Sequence, residues 1–359
     1  MDRFLIIRFG SIGNTLVSIP AVRAIRKAYP SSFIAMIVSP GIDELLSDIP
    51  WIDELIVYDM HGTHKSLSAY FHFIRSLRKK HFDTAVMFKR FLRSELIGLL
   101  SGAHRRIGFE TGGKSNFLTD RVPYSEGTNI VELNMMLLQP LGIHDSDLSI
   151  ELDVGNCNNY SGMQSVDTLK SKGYARYAVI HPGGKTVKGM GLGITGYAKI
   201  ISLLRQRYNL PCVVIGDSTD SGIISAIRKL SNDDSVLPAV GLPLKELSCL
   251  IQHAALFIGN DSGPCHIADA VHTPGIIIYP PLYNLGEHIK KWKPAGDDFL
   301  AITPPKACED CASYPCEDSV LLRCIEDIDI EPILHYTELI KHDISYNEDF
   351  TPVKFVDKP

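Results

Sequence analysis

Leu256-Phe257-Ile258-Gly259-Asn260-Asp261-Ser262-Gly263-Pro264-Cys265-His266-Ile267-Ala268-Asp269-Ala270-Val271-His272-Thr273-Pro274-Gly275-Ile276-Ile277-Ile278-Tyr279-Pro280 holds a complete strand–turn–helix–strand unit. The apolar run at 255–258 reads as a buried strand, and a polar, glycine-bearing turn follows at 259–263. Residues 264–272 read as a short helix, with Pro264 at a first-turn position where its missing N–H costs nothing. Thr273-Pro274 ends that helix, and 275–279 reads as the next buried strand. The turn therefore falls at a helix N-terminus, where Ser262 and Gly263 offer a hydroxyl and backbone N–H groups. A phosphate or diphosphate binds at such a place, at the positive end of the helix dipole. An ordinary capped βα turn has the same composition, so the stretch by itself leaves both readings open.

Outward from this unit the same alternation continues. Residues 177–181, 212–216 and 236–240 read as strands, separated by helices at 195–208, 222–230 and 244–253. The N-terminal half repeats the pattern, with strands at 4–9, 33–38, 54–58 and 84–88 and helices at 41–47, 67–80 and 93–100. Its first helix, 15–29, is amphipathic: Leu16, Ile19, Val22, Ala24 and Ile25 are apolar and Arg23, Arg26 and Lys27 polar. Residues 105–114 read as irregular and basic, 129–141 as a helix, and 142–159 as a polar connection that holds the domain boundary.

Strands alternating with helices mean parallel sheets covered on both faces. The expected class is α/β, with two Rossmann-like domains, 1–155 and 156–330, facing across a cleft. A C-terminal segment, 331–359, is expected to carry a helix that packs back toward the first domain. Ligands of open α/β sheets sit beyond the carboxyl ends of the strands, so both glycine turns are expected to line the cleft.

Composition narrows the function classes. At 359 residues the chain suits two domains of comparable size. A net charge of −5 gives no support to a general nucleic-acid binder, although it does not exclude local basic patches. No apolar run reaches the roughly 18 residues of a membrane span. The N-terminus reads as a first strand rather than a signal peptide. A cytoplasmic protein with at most peripheral membrane contact is expected.

Of the eight cysteines, Cys157, Cys212, Cys249 and Cys265 are scattered and read as small core residues. Disulfides are not expected in a reducing cytosol. Cys308-x2-Cys311-x4-Cys316-x7-Cys324 has the spacing of a tetrathiolate site for structural zinc or iron.

Gly259-Asn260-Asp261-Ser262-Gly263-Pro264 with His266 and Ala268 resembles the G-N-D-[ST]-G-x-x-H-x-A motif of glycosyltransferase family 9, the heptosyltransferases. Arg106-Ile107-Gly108-Phe109 and residues 137–142 are similar to further family segments, and the likeness extends over about residues 3–340. It implies the GT-B fold and no catalytic metal. Arg8-Phe9-Gly10-Ser11-Ile12-Gly13-Asn14 resembles the family's N-terminal motif. There an acidic residue after the second glycine is taken as the base that deprotonates the acceptor hydroxyl. Here that residue is Asn14, which cannot usefully accept a proton, so Glu110 or Asp120 enters as a substitute. Asn14 would equally serve as a helix N-cap.

His181-Pro182-Gly183-Gly184-Lys185-Thr186-Val187-Lys188 resembles the family segment whose lysine neutralises the donor diphosphate. Lys188 is the first candidate and Lys185 the second. The family's tryptophan after this lysine is absent. Asp217 or Asp220, just past a strand end, suits ribose hydroxyls, although helix capping explains both. Val240-Gly241 suits backbone contacts to a base.

The resemblance thus implies a donor site of Gly10, Ser11, Gly13, Lys185, Lys188, Asp217, Val240, Asp261, Ser262, Gly263 and His266. Asn14, Asp261 and Lys188 stand at the chemistry. Arg90, Arg93 and Arg106, with Arg105 and Lys114 nearby, would face an anionic acceptor, though a solvated basic face has the same composition. The implied reaction is inverting transfer of heptose from ADP-heptose or a related nucleotide-sugar. Lipopolysaccharide core, another glycan, a small molecule or a protein would be the acceptor. Two rivals stay open: a nucleotide-sugar epimerase of similar build, and a donor-binding protein whose catalysis is impaired by Asn14.

Overall fold

The structure is a computed structural model. It describes residues 2–110, 117–157, 160–161, 163–183, 192–279, 285–303 and 331–342. The chain divides into two compact units, Met1–Gly155 with Lys290–Ala295, and Asn156–Ile289 with Gly296–Pro359.

The first unit contains β1 (Arg3–Ile7), α1 (Ile12–Leu16), α2 (Ile19–Ala28), β2 (Phe33–Val38), α3 (Ile42–Leu45), β3 (Glu54–Val57) and α4 (Leu67–Arg78). It continues through β4 (Thr84–Met87), α5 (Leu92–Leu100), β5 (Arg105–Phe109), β6 (Asp120–Val122) and α6 (Ile130–Met136). The six strands form one parallel sheet in the order β3-β2-β1-β4-β5-β6. Leu5, Ile6 and Ile7 of the central strand are all fully buried. Unbroken apolar runs of this kind belong to strands covered on both faces.

The second unit contains α7 (Met163–Ser171), β7 (Ala178–His181), α8 (Gly193–Tyr208), β8 (Cys212–Gly216), α9 (Ser221–Ser231), β9 (Leu237–Val240) and α10 (Leu244–Gln252). It continues through β10 (Leu256–Asn260), α11 (Gly263–Ala270), β11 (Gly275–Ile278), α12 (Leu285–Trp292), β12 (Phe299–Ile302) and α13 (Glu331–His342). Its sheet runs β12-β11-β10-β7-β8-β9, again all parallel. Counted within each unit, both sheets have the doubly wound order 3-2-1-4-5-6. Each therefore has a switch point between its first and fourth strands, where such sheets bind ligands. In the first unit that point joins the ends of β1 and β4; in the second it joins β7 and β10.

Several sequence expectations are corrected. Residues 105–109 are not irregular but form β5, because Arg105 pairs with Asp120 at 2.9 Å and Arg106 donates to the Phe117 and Ala103 carbonyls. The single helix expected over 15–29 is two, broken at Val17-Ser18 just before Pro20, whose missing N–H suits a new first turn. Among the described residues, the C-terminal helix lies against the second sheet. Ile333 is buried in that core, and Tyr336 Oη donates to the Asp298 carbonyl at 2.7 Å. Cys157 and Cys249 are not separate core thiols but a disulfide, with Cα atoms 5.6 Å apart across 92 residues of sequence. The connection just past the domain boundary lies against α10, which the polar sequence around Cys157 did not signal. Cys212 and Cys265 are buried free thiols.

Candidate active site

Asn260, the last residue of β10, is fully buried at the switch point of the second sheet. Its Nδ2 donates to the Pro182 and Gly183 carbonyls at 2.9 and 3.3 Å, and its Oδ1 accepts from Tyr197 Oη at 2.7 Å. One amide thus ties β10 to the start of the loop after β7 and to α8. Gly259 is required here: a Cβ on it would lie 2.9 Å from the Phe257 ring and 3.1 Å from His181 Cβ. Gly183 is equally constrained, since its Cβ would meet the Asp220 carboxyl group at 2.5–2.8 Å.

Ser262 is the N-cap of α11, in extended conformation, but its side chain does not cap the helix. Its Oγ donates to the Asn260 carbonyl at 3.1 Å and lies 3.0 Å from His181 Nδ1. With the hydroxyl proton on Asn260, the ring nitrogen of His181 is the donor to Ser262. Burial pulls the His181 pKa down to about 4, against a smaller opposing pull from Asp217, so the imidazole is neutral at pH 7.

Asp261 is held from α12: His288 Nε2 donates to Asp261 Oδ2 at 2.7 Å. Around this carboxylate stand Cys265 and His266, with one potential ligand atom of each residue within 4.8 Å of the others. His266 Nδ1 and Tyr279 Oη are buried and have no hydrogen-bond partner among the described residues. Burial lowers the His266 pKa, with Asp261 and Asp269 opposing, and it raises those of Tyr279 and Cys265. A neutral imidazole, a protonated phenol and a carboxylate, two of them orphaned, are a donor–acceptor set waiting for polar ligand atoms.

In the first unit, Asn14 is not an N-cap; Ser11 is, and Asn14 lies in the first turn of α1. Asn14 Nδ2 donates to Ser11 Oγ at 2.8 Å, while Asn14 Oδ1 accepts from Arg8 Nη2 at 2.9 Å. Arg8 is buried, and its other described acceptors are the Asn14 and Phe88 carbonyls, at 2.5 and 3.1 Å. Burial lowers the guanidinium pKa to about 10, partly offset by Tyr124. It remains charged at pH 7 and meets only neutral oxygens in these contacts.

The profile of Glycosyltransferase family 9 (heptosyltransferase) matches residues 70–317. The chain belongs to glycosyltransferase family 9. Lipopolysaccharide heptosyltransferase 3 of Escherichia coli K12 is 29% identical over 304 residues, covering 80% of this chain and 84% of that one. Among solved structures, a family 9 glycosyl transferase from Veillonella parvula superposes with a TM-score of 0.81 at 19% identity, over 96% of this chain and 98% of that one. The E. coli ADP-heptose lps heptosyltransferase II superposes with a TM-score of 0.74 at 18% identity, over 96% and 100%.

This family 9 glycosyltransferase brings together some of the residues its sequence singled out. Asp261, Ser262, Gly263 and His266 meet at the β7–β10 switch point; at the β1–β4 switch point Gly10 and Ser11 form the connecting turn, and Gly13 and Asn14 lie at the start of α1. Lys185, Lys188, Lys114, Cys308, Cys311, Cys316 and Cys324 lie outside the described residues. Asp217 and Asp220 make a capping box: Asp217 accepts from Thr219 N at 2.7 Å, and Asp220 accepts from Asp217 N at 3.0 Å. Val240 ends β9 and is partly exposed.

Arg90 stacks over Tyr124, 4.2 Å from the ring centroid, and Arg93 Nη1 donates to Tyr58 Oη at 3.4 Å. Arg106 spends its guanidinium on the Phe117, Ala103 and His104 carbonyls, which shape its own domain. Asp120 accepts from Arg105 and Thr119, and both hold its pKa low. An acid so committed is a poor substitute base; Glu110 is exposed at the end of β5. Sequence reasoning missed His288, Tyr279 and Tyr197. For Tyr279 the signal was an aromatic closing an apolar strand just past the motif; for His288 there was none.

Proposed function

We propose that this family 9 glycosyltransferase moves a heptose from an ADP-activated donor to an acceptor hydroxyl with inversion. Lipopolysaccharide core is the acceptor class that its relatives' names favour. The observation that carries the reading is the convergence of Asp261, His266 and Tyr279 at the start of α11. That is where a nucleotide-sugar would place its hydroxyls against a carboxylate and its diphosphate against a helix N-terminus.

In the reaction the acceptor oxygen attacks the anomeric carbon from the face opposite the leaving ADP. The carbon–oxygen bond to the diphosphate breaks, the new glycosidic bond forms, and the hydroxyl proton leaves to a base. Charge develops on the diphosphate. Lys188 and the α11 N-terminus would meet it, and fixed donors of this kind are commonly the largest catalytic contribution. That is work a divalent ion does in other glycosyltransferases, so no catalytic metal enters this reading. Asp261, oriented by His288, would hold sugar hydroxyls. Arg90 and Arg93 are the candidates for an anionic acceptor. Family membership sets the epimerase reading aside.

Lys188→Ala and Asp261→Ala each remove one of these contacts. We expect either to reduce turnover by about 10²-fold, the usual loss for one transition-state donor. ADP affinity measured by calorimetry should fall in Lys188→Ala. Unchanged affinity and turnover in both variants overturns the donor assignment.

We also propose that Cys308, Cys311, Cys316 and Cys324 hold one structural zinc or iron. Metal analysis of chelator-free protein beside a Cys308→Ser/Cys311→Ser variant tests it. Folded, metal-free native protein would dismiss the site.

A further inference from the structure

We propose that the Cys157–Cys249 disulfide is a thiol-sensitive latch that governs how firmly the second unit holds its candidate donor site. Both sulfurs belong to that unit: Cys157 stands just past the boundary at Gly155, and Cys249 lies in α10. Glu246, Cys249 and Gln252 are spaced three apart along α10 and so share one of its faces. That face receives residues 157–161. Ser161 Oγ donates to the Glu246 carboxylate, the disulfide joins Cys157 to Cys249, and Gln252 Oε1 lies 3.8 Å from Cys157 Sγ. Of these ties the disulfide is the covalent one.

The carbonyls at the end of α10 carry the latch to the site. Leu250 O accepts from Tyr177 Oη at 2.7 Å, immediately before β7, and Ile251 O accepts from Thr273 Oγ1 at 2.8 Å, shortly after α11. Both bonds are buried. β7 ends in His181 and α11 starts beside Ser262, and these two residues meet at 3.0 Å. One helix therefore braces, with one carbonyl each, the two elements that converge on the site.

Opening the bond is thiol–disulfide exchange with glutathione. Cys249 is fully buried whereas Cys157 is 6% exposed, so an incoming thiolate meets Cys157. The glutathione sulfur bonds to Cys157 Sγ, and Cys249 Sγ leaves as a thiolate that takes a proton from water. A second glutathione thiolate then attacks the sulfur of the first, and Cys157 is released and protonated in turn. Two electrons pass to the protein, two cysteine thiols form, and one glutathione disulfide departs; the reverse sequence closes the latch. Closure also restricts the unfolded chain, by an amount that grows with the 92 residues separating the cysteines.

Equilibration of the full chain in mixtures of reduced and oxidised glutathione, followed by alkylation and peptide mass spectrometry, tests the proposal. Cys157 and Cys249 are expected to titrate together, in one two-electron transition. The reduced protein should melt roughly 5–15 °C lower, with faster hydrogen exchange in 157–161 and α10. Its ADP affinity by calorimetry should fall by about fivefold or more. Cys157→Ala removes the more accessible sulfur and should behave as the reduced protein in every buffer. Three results would overturn the latch: both cysteines alkylated in oxidised glutathione, a native melting temperature indifferent to redox state, or a redox-dependent shift that persists in Cys157→Ala. The ADP arm alone rests on the donor-site reading. If Lys188→Ala lowers ADP affinity and reduction does not, the link from latch to site is overturned; if neither lowers it, the donor-site reading falls and the melting shift still decides the latch.

Discussion

At Asn14 a carboxamide stands against a buried arginine. Arg8 Nη2 is 2.9 Å from Asn14 Oδ1 and has been stripped of much of its hydration. Asn14→Asp would convert that contact into a buried ion pair without adding volume. The carboxylate would be held in its charged form, and Ser11 Oγ would turn to donate where it now accepts. We expect the variant to be more stable, because a bond with one charged partner becomes one with two, read as a raised melting temperature.

The same substitution tests catalysis. A general base typically contributes about 10²–10⁴-fold, so turnover should rise by at least the lower end of that range if position 14 faces the acceptor hydroxyl. A stabilised protein with unchanged turnover would place the base elsewhere, and Glu110→Gln would then be the variant expected to lose activity. Arg8 would itself lower the basicity of the new carboxylate, so the pH–rate profile should shift to the acid side.

Among the elements, β7 and β10 carry the prediction about pH. Both end in residues that cannot be solvated: His181 is buried against Ser262, and Asn260 braces the loop that follows His181. An unfolded histidine titrates near 6.5, whereas His181 in the folded chain titrates near 4. The unfolded state therefore binds more protons between these values, and stability falls as pH drops from 6.5 toward 4. The loss from His181 reaches about 3 kcal/mol at the lower end; burial of His266 acts in the same direction. Thermal melts from pH 8 to 4 should show a falling midpoint whose slope is shallower in His181→Gln. An equal slope in that variant would exclude His181 as the cause.

The ends of these strands also show what the sequence carried. The strands β1, β2, β4, β7, β8, β10 and β11 were legible because double-sided burial demands unbroken apolar runs, and the glycine turns because backbone must approach backbone there. The β5 strand was obscured by Arg105-Arg106, charges that read as solvent-facing until Asp120 and the local carbonyls are seen to neutralise them. Long-range partnerships left no local mark. His288 reaches Asp261 from a helix 27 residues on, and the 92-residue separation of Cys157 and Cys249 concealed their bond. The candidate residues on the glycine turns were named from sequence; those that orient them were not.

For the whole molecule, the notable feature is discontinuity. The first unit takes in Lys290–Ala295, where Asn129 Nδ2 donates to the Lys290 and Lys293 carbonyls at 3.4 and 3.2 Å, and Lys291 lies 5.4 Å from the Tyr124 ring centroid. A fragment cut at Gly155 loses these partners. We expect it to melt below the intact protein's first transition, with faster hydrogen exchange around Asn129. A fragment with the stability of the intact unit would show that the returning segment contributes nothing.

That return has a consequence for how the protein is made. Chains emerge from the ribosome at about 5–20 residues per second. The first unit therefore waits roughly 7–28 s after Gly155 has been synthesised before its last segment, ending at Ala295, is complete. Throughout that interval the nascent chain presents an unfinished surface while five further strands are being translated. Its biogenesis thus depends on the pace of elongation and on whatever chaperone guards the exposed seam, as well as on the stability of the finished fold.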